Sequence, residues 1–333
     1  MKDICIITVT YGDRFPFLKK VLDRVLNENV KKIIVVDNNS SKDSKEKLKE
    51  YIKNKEEKIK ILSLEENLGS AGGFKKGLEI AKNCKECDFI LLLDDDNLPE
   101  KGIFDKIFNK IENLDFSFNK DALWMYRTDR ENFIAYIKKN NPSGMLPDKN
   151  GFLGMHFITI FGKIIELLKA KIFKNKPLEI NKNYGFIYAA PYGGLFFHKS
   201  LLDKIGFPRE EFFVYVDDYE WTYRIKKNGG KIVALLDLKI EDIDKSWHIK
   251  RKGKSFFSKI LNTDDYKRVY YTIRNRIVFE QENFVKNRFI YNINKFLFLL
   301  ALRLYKNKNN EKQYKIVLKA IEDGYKRRLG RVL

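Results

Sequence analysis

Four short apolar runs, Ile4 to Val9, Lys32 to Val36, Ile59 to Leu62 and Phe89 to Leu93, alternate with stretches whose apolar residues recur at helical spacing. Leu18, Val21, Leu22, Val25 and Leu26 fill the first gap, Leu48, Tyr51 and Ile52 the second, and Phe74, Leu78 and Ala81 the third. This alternation is the βαβ pattern of a mostly parallel sheet covered on both faces, so an α/β fold is expected. Ile187 to Phe197 and Lys231 to Leu238 add strand-like runs around a helix that starts at Asp217 or Asp218. That helix ends at Gly229-Gly230, where a left-handed C-cap favours glycine.

In sheets of this kind ligands sit beyond the carboxyl ends of the strands, and here those ends are acidic. Asp37 follows the second run in Val35-Val36-Asp37-Asn38-Asn39-Ser40, and Asp94-Asp95-Asp96-Asn97 follows the fourth. Three consecutive aspartates repel one another unless a cation or bound donors offset their charge. Oxygen ligands from Asp94 and Asp96 suit Mg²⁺ or Mn²⁺, with a diphosphate and water filling the remaining positions. A solvated acidic turn is the plainer alternative.

Asn67-Leu68-Gly69-Ser70-Ala71-Gly72-Gly73-Phe74-Lys75-Lys76-Gly77 is glycine-rich and leads into a helix, so its backbone N–H groups either approach a ligand closely or simply turn tightly. It is not a P-loop, because Leu78-Glu79 stands where Lys-Ser/Thr is needed. Nor is it a dinucleotide fingerprint, since Thr10-Tyr11-Gly12-Asp13 follows the first strand. Asp217 and Asp218 open a helix, where the macrodipole favours anions; a cap explains one of them and a pair asks for more. Glu220 and Arg224, spaced i, i+4, are placed to bridge on one helix face. His248 follows Trp247, and a lone histidine is more often structural than ligating. Cys84 and Cys87 have no second pair and no nearby histidine, so they read as reduced thiols and not as a zinc site.

Lys plus Arg (65) exceed Asp plus Glu (45) by 20, and from Ile249 to Leu333 the count is 22 against 7, so +15 of the +20 lies there. With 44% apolar and 14% aromatic residues, the composition argues against a disordered basic tail protein and favours a folded one with a basic surface, whose neighbours are anionic: nucleic acid, lipid headgroups or a phosphorylated substrate. A boundary is expected near residue 250, separating an α/β domain (1–250) from a basic helical region (251–333). There Tyr270 to Glu280, Phe296 to Tyr305 and Tyr314 to Tyr325 read as basic amphipathic helices, suited to an anionic membrane surface or an oligomer contact. Phe157 to Lys176 has the same character. The apolar run Phe296 to Leu302 falls far short of the roughly 20 residues of a membrane span. Three cysteines cannot build a disulfide framework and no secretory signal opens the sequence, so a reducing cytoplasm is expected.

Jointly these pieces resemble glycosyltransferase family 2 from about residue 3 to 275. The carriers are Ile6-Ile7-Thr8-Val9-Thr10-Tyr11, the Val35 to Ser40 strand end, Asn67 to Gly73, Leu93-Asp94-Asp95-Asp96 and Asp217-Asp218. The resemblance implies a GT-A fold, Rossmann-like, whose catalytic domain moves a sugar from a nucleotide diphosphate donor. The Gly72-Gly73 pair, the Tyr271-Thr272-Ile273-Arg274-Asn275-Arg276 segment and the C-terminal helices look most like galactofuranosyltransferases and rhamnosyltransferases. The triple Asp, the paired Asp and the later Trp/His region favour UDP-galactofuranose as donor, with dTDP-rhamnose as the alternative.

By the same resemblance Asp37 recognises the base, and Thr10, Tyr11, Asn67, Gly69, Gly72, Gly73 and Asp95 belong to the nucleotide and sugar pocket. Asp94, Asp96 and His248 hold Mn²⁺ or Mg²⁺, Asp218 is the general base, and Asp217 beside it shapes the acceptor site. One base and in-line displacement imply inversion at the anomeric carbon. The implied acceptor is a glycan, polyprenyl-linked and presented on the cytoplasmic leaflet, with the enzyme peripheral on the inner face of the cell membrane and a homo-oligomer left open. A nucleic-acid binder using the basic C-terminal region is the rival from another class, and it leaves the strand-end carboxylates unexplained. A nucleotidyltransferase lacks its Gly-rich basic loop here.

Overall fold

A computed structural model describes residues 3–157, 183–244 and 255–332. These fall into two compact units, one drawn from Met1–Met145, Glu179–Phe213 and Asp217–Trp247, the other from Leu146–Leu178, Val214–Val216 and His248–Leu333.

In the first unit all four leading runs are strands: β1 (Ile4–Gly12), β2 (Lys32–Ser40), β3 (Ile59–Ser63) and β4 (Phe89–Asp94). They pair in parallel in the order β3-β2-β1-β4. β5 (Asn97–Pro99), β6 (Ala122–Arg127), β7 (Tyr184–Ile187), β8 (Leu195–His198) and β9 (Ile232–Asp242) extend the sheet. Its full order is β3-β2-β1-β4-β8-β6-β9-β5, with β7 also on β9. β8 runs antiparallel to β4 and β6, while β6 and β9 are parallel. The stretch Ile187 to Phe197 is therefore two strands and not one. Pro191, which has no N–H to give a ladder, and Gly194 in the left-handed region (φ +92) break it.

The helices of this unit are α1 (Phe15–Leu26), α2 (Lys42–Ile52), α3 (Gly69–Asn83), α4 (Ile103–Glu112), α5 (Glu131–Lys138), α6 (Leu202–Ile205) and α7 (Asp217–Lys227). Strand side chains alternate between two cores. Ile33 and Val35 belong to one cluster with Leu18, Val21 and Leu22 of α1 and Ile107 of α4, whereas Ile34 and Val36 belong to the other with Phe74 and Leu78 of α3 and Trp221 of α7. Burial on both faces is why the strands read as continuous apolar runs. α7 starts at Asp217 and is followed by Gly229 at φ +76, as its sequence signals require.

The sequence reading puts the glycine-rich stretch before a helix; the structure puts most of it inside α3. A Cβ on Gly77 would lie 2.4 Å from Ile7 Cγ2 and one on Gly73 2.6 Å from Val9 Cγ1, so these glycines let α3 lie directly on β1. Gly77→Ala is expected to cost about 1–3 kcal/mol through overpacking. Urea denaturation measures it, and an unchanged midpoint would mean that the helix can lift freely.

The cysteines also depart from expectation. Cys87 does not stand beside Cys84 as a second reduced thiol; it is joined to Cys5 by a disulfide with Cα atoms 5.3 Å apart, and Cys84 is the free one. The register pairs Ile4 with Phe89 at the start of β1 and β4, which brings Cys5 and Cys87 together. Cys-x-x-Cys spacing carries no trace of that long-range pairing.

The second unit contains α8 (Phe256–Leu261), α9 (Tyr266–Asn283), α10 (Arg288–Leu304) and α11 (Glu311–Tyr325). The three basic amphipathic helices read from the sequence are α9, α10 and α11, each beginning earlier than its apolar spacing suggests. Asp265 and Asn287 supply the reason for α9 and α10, since their side chains cap the first turns. The Tyr271 to Arg276 segment is partly internal: Asn275 Nδ2 donates to the carbonyls of Val214 (2.9 Å) and Tyr215 (2.8 Å). Buried Glu280 accepts from Leu153 N, Arg276 Nε and Tyr291 Oη. Of the amphipathic stretch from Phe157, only its first residue is described, its N–H donating to Asn294 Oδ1; the rest lies outside the described residues. No helix among the described residues is long and apolar enough to cross a membrane.

Candidate active site

β4 ends on Asp94, and the chain turns through Asp95 and Asp96 into β5, where Asn97 pairs with Asp242 of β9. Two arginines that the sequence reading did not select hold this acidic turn. Arg14, just before α1, directs Nε to Asp95 (2.8 Å), Nη2 to Asp96 (2.5 Å) and Nη1 to Asp244 (2.6 Å). Arg127, at the end of β6, directs Nη1 to Asp94 (2.7 Å), Nη2 to Asp242 (2.9 Å) and Nε to Asp129 (3.0 Å). Arg130 pairs with Asp129 at 3.0 Å.

Among the described residues six carboxylates (94, 95, 96, 129, 242, 244) thus face three guanidiniums (14, 127, 130). Burial pushes Asp95 up to about 6 against the pull of Arg14. Burial, then the charges of Asp94, Asp95 and Asp242, raise Asp96 well above the carboxylate range.

Unbalanced carboxylate oxygens suit a hard divalent cation in charge and donor type. Asp94 gives one oxygen to Arg127 and its side chain is 37% exposed. Asp96 is more committed, because Asn97 Nδ2 takes its other oxygen at 3.0 Å. Among the described residues no group of three or more metal-type side chains converges, and His248, the third ligand implied by the resemblance, lies outside the described residues.

The chain reaches Asp217 through left-handed backbone at Phe213, Tyr215 and Val216 (φ +65, +64 and +68). A β-branched residue pays for such a conformation, and strain of this kind gathers at functional sites. Buried Asp217 accepts a hydrogen bond from Ser70 Oγ at 2.7 Å, which ties α7 to α3. Asp218 is half-buried, and its Oδ1 accepts from Tyr219 N at 2.8 Å. Burial raises both carboxyls, and the charge of Asp217 raises Asp218 further; Arg130 pulls it down and Asp94 pushes it up. The paired aspartates and the acidic strand end therefore act on one another. The buried Tyr192 phenol is held protonated by burial and by the fields of Asp217 and Asp218.

Asp37 is buried, and its Oδ1 accepts from Ser40 N at 2.8 Å. Asn38 beside it clasps the start of α3, with Oδ1 accepting from Leu68 N (2.8 Å) and Nδ2 donating to Gly69 O (2.9 Å). Asn67 Oδ1 accepts from Gly69 N at 2.8 Å. Gly69 is left-handed (φ +70), and a Cβ there would lie 2.0 Å from Phe213 O, while one on Gly72 would lie 2.4 Å from Leu68 Cβ. These glycines thus have packing reasons of their own. Thr10 is buried, and Tyr11 is exposed with its ring centroid 5.5 Å from the Arg14 guanidinium. Gly193 passes so near the acidic turn that a Cβ would lie 1.9 Å from Asn97 Oδ1 and 3.0 Å from Asp94 Oδ2. Its carbonyl accepts from Trp124 Nε1 at 3.1 Å.

Arg14, Arg127, Tyr192 and Gly193 have no role in the reading of the sequence, whereas Asn38 and Ser70 lie in the stretches 35–40 and 67–73 that carry the resemblance. Of the first four, Arg127 alone left a signal, a single charge ending the apolar run Ala122 to Tyr126.

The site is thus an acidic turn beyond the ends of a sheet led by parallel strands. Residues 5–166 match the family model Glycosyl transferase family 2, which spans just under half of the chain. An uncharacterized glycosyltransferase of Methanocaldococcus jannaschii is 27% identical over 177 residues, which are 51% of this chain and 57% of that protein. The chain thus matches little more than half the length of this relative. In fold it is similar to GalNAc-T7, solved with UDP, GalNAc and Mn²⁺ (TM-score 0.52, 15% identity, 89% of this chain and 54% of that one). It is also similar to residues 1–349 of TarS from S. aureus, solved with UDP-GlcNAc (TM-score 0.50, 16% identity, 97% and 81%). The mixed α/β architecture is that of GT-A glycosyltransferases.

Proposed function

We propose that this protein transfers a sugar from a nucleoside diphosphate to an acceptor hydroxyl, with inversion, using Asp218 as general base. The observation that carries this reading is the aspartate pair opening α7, with Asp217 tied to Ser70 of α3 at 2.7 Å and Asp218 raised by burial and by the charge of Asp217. A carboxylate raised toward neutrality is matched to taking a proton from a hydroxyl as it attacks. Asp217, fixed by Ser70, keeps its neighbour's pKa high and shapes the acceptor side. Arg14 and Arg127 hold the acidic turn in one conformation.

Asp37 is the base-reading residue of this proposal, with Thr10, Tyr11, Asn67, Gly69, Gly72, Gly73 and Asp95 around the nucleotide and sugar. Asp94, Asp96 and His248 would hold Mn²⁺ or Mg²⁺, which when bound supplies positive charge to the departing diphosphate. Two of the similar structures contain UDP or UDP-GlcNAc, which favours a uridine diphosphate donor. UDP-galactofuranose is the proposed sugar donor and dTDP-rhamnose the alternative. Residues 1–250 are assigned the chemistry and 251–333 the placement of the enzyme near a polyprenyl-linked glycan.

Incubation with each donor and a polyprenyl-linked glycan tests this through nucleotide diphosphate release and the NMR coupling of the new anomeric proton. Release from the UDP sugar with an inverted anomer is expected. A retained anomer, or release from neither donor, would contradict it.

A further inference from the structure

We propose that the outward face of α10 is a lipid-docking surface, which lays this helix in the headgroup layer of an anionic phospholipid membrane. α10 buries Tyr291, Asn294, Phe298 and Leu302, a row at helical spacing that satisfies its packing within the second unit. On the other side Phe289, Phe296, Leu300 and Leu304 are 74%, 65%, 49% and 79% exposed. At 3.6 residues per turn the two rows stand about half a turn apart. A surface helix needs one apolar face, and this one has two. A continuous row of large exposed apolar side chains marks a binding surface.

Charge selects the occupant. From Phe284 to Lys308 the chain carries Lys286, Arg288, Lys295, Arg303, Lys306 and Lys308 and no Asp or Glu. Lys295 turns inward, its ammonium 3.7 Å from the Tyr325 ring centroid. The other five are exposed and flank the two ends of the apolar row, Lys306 also pairing with Glu311 at 3.6 Å. Two copies of this face would bring like charges together, whereas an anionic bilayer surface offers both an apolar layer and a negative one. Seventeen residues of helix make about 25 Å, and no described helix meets the requirements of a span. An in-plane interfacial helix, apolar on one side with basic residues at its borders, is the arrangement that remains.

The proposal deepens the reading of residues 251–333 but needs no nucleotide chemistry, so its test is run without donor. The full-length protein is sedimented at physiological salt with vesicles of phosphatidylcholine alone or with added phosphatidylglycerol. Wild type is expected to sediment with the anionic vesicles only, and F296S/L300S/L304S to lose at least tenfold in partitioning with an unchanged thermal midpoint. In L300W, which places a reporter in the row, fluorescence is expected to shift blue on adding anionic vesicles. Equal sedimentation of the triple variant and wild type, or unshifted L300W emission in sedimenting protein, would overturn the proposal by showing that charge elsewhere binds. A dimer by sedimentation equilibrium that the triple variant abolishes, without vesicle binding, would overturn it in favour of a second copy.

Discussion

Asp218→Asn is expected to slow sugar transfer by about 10²- to 10⁴-fold, the usual contribution of a positioned general base, while leaving nucleotide binding nearly intact. Burial and the adjacent Asp217 raise the Asp218 pKa in the folded state. A group raised in this way contributes stability that is fully present below its unfolded pKa and is lost as pH rises through the folded one. Wild type is therefore expected to lose thermal stability between the ordinary carboxylate range and mildly alkaline pH. The Asn variant escapes part of that loss, so its Tm advantage grows with pH. Transfer by wild type runs the other way, rising with pH as Asp218 gives up its proton. Diphosphate release and thermal melts across pH 5–9 measure both trends. Loss of nucleotide binding together with transfer would remove Asp218 from the base role.

Arg127→Met is expected to cost about 3–5 kcal/mol of folding stability, because it strands carboxylates that share one buried cation. Asp94, Asp129 and Asp242 each lose an ion pair of 3.0 Å or less, in a cluster whose described residues include more carboxylates than guanidiniums. Arg127→Lys keeps the charge but not the planar fork that reaches three acids at once, so partial recovery is expected. Urea denaturation of the three proteins measures the series. A Met variant as stable as wild type would mean that the carboxylates neutralise themselves by taking protons, and that Arg127 is not their counter-ion.

The four leading strands and the helices between them were legible because burial on both faces writes an unbroken apolar run for each strand. Asp94 to Asp96 and the Asp217-Asp218 pair stood out for a similar reason: charge at the end of a buried element needs an explanation. Gly73 and Gly77 leave the same trace in sequence whether they admit a ligand or the side chains of Val9 and Ile7, so their packing on β1 was not legible. Arg14 and Arg127 escaped notice because their partners lie far away in sequence. Arg14 meets Asp244 across 230 positions and Arg127 meets Asp242 across 115, and only the sheet order brings them together. The Cys5–Cys87 bond is hidden in the same way, since it depends on the β1–β4 register.

Calorimetric titration of UDP, dTDP, GDP and CDP into the purified protein, each with and without Mn²⁺, bears most directly on the functional reading. UDP is expected to bind tightly with Mn²⁺, weakly without it, and not measurably to Asp94→Ala, whose fold is monitored by its thermal melt. A preference for dTDP would move the donor to rhamnose and leave the site assignments standing. No binding of any nucleotide under either condition would contradict the roles given to Asp94, Asp96 and Asp218 together.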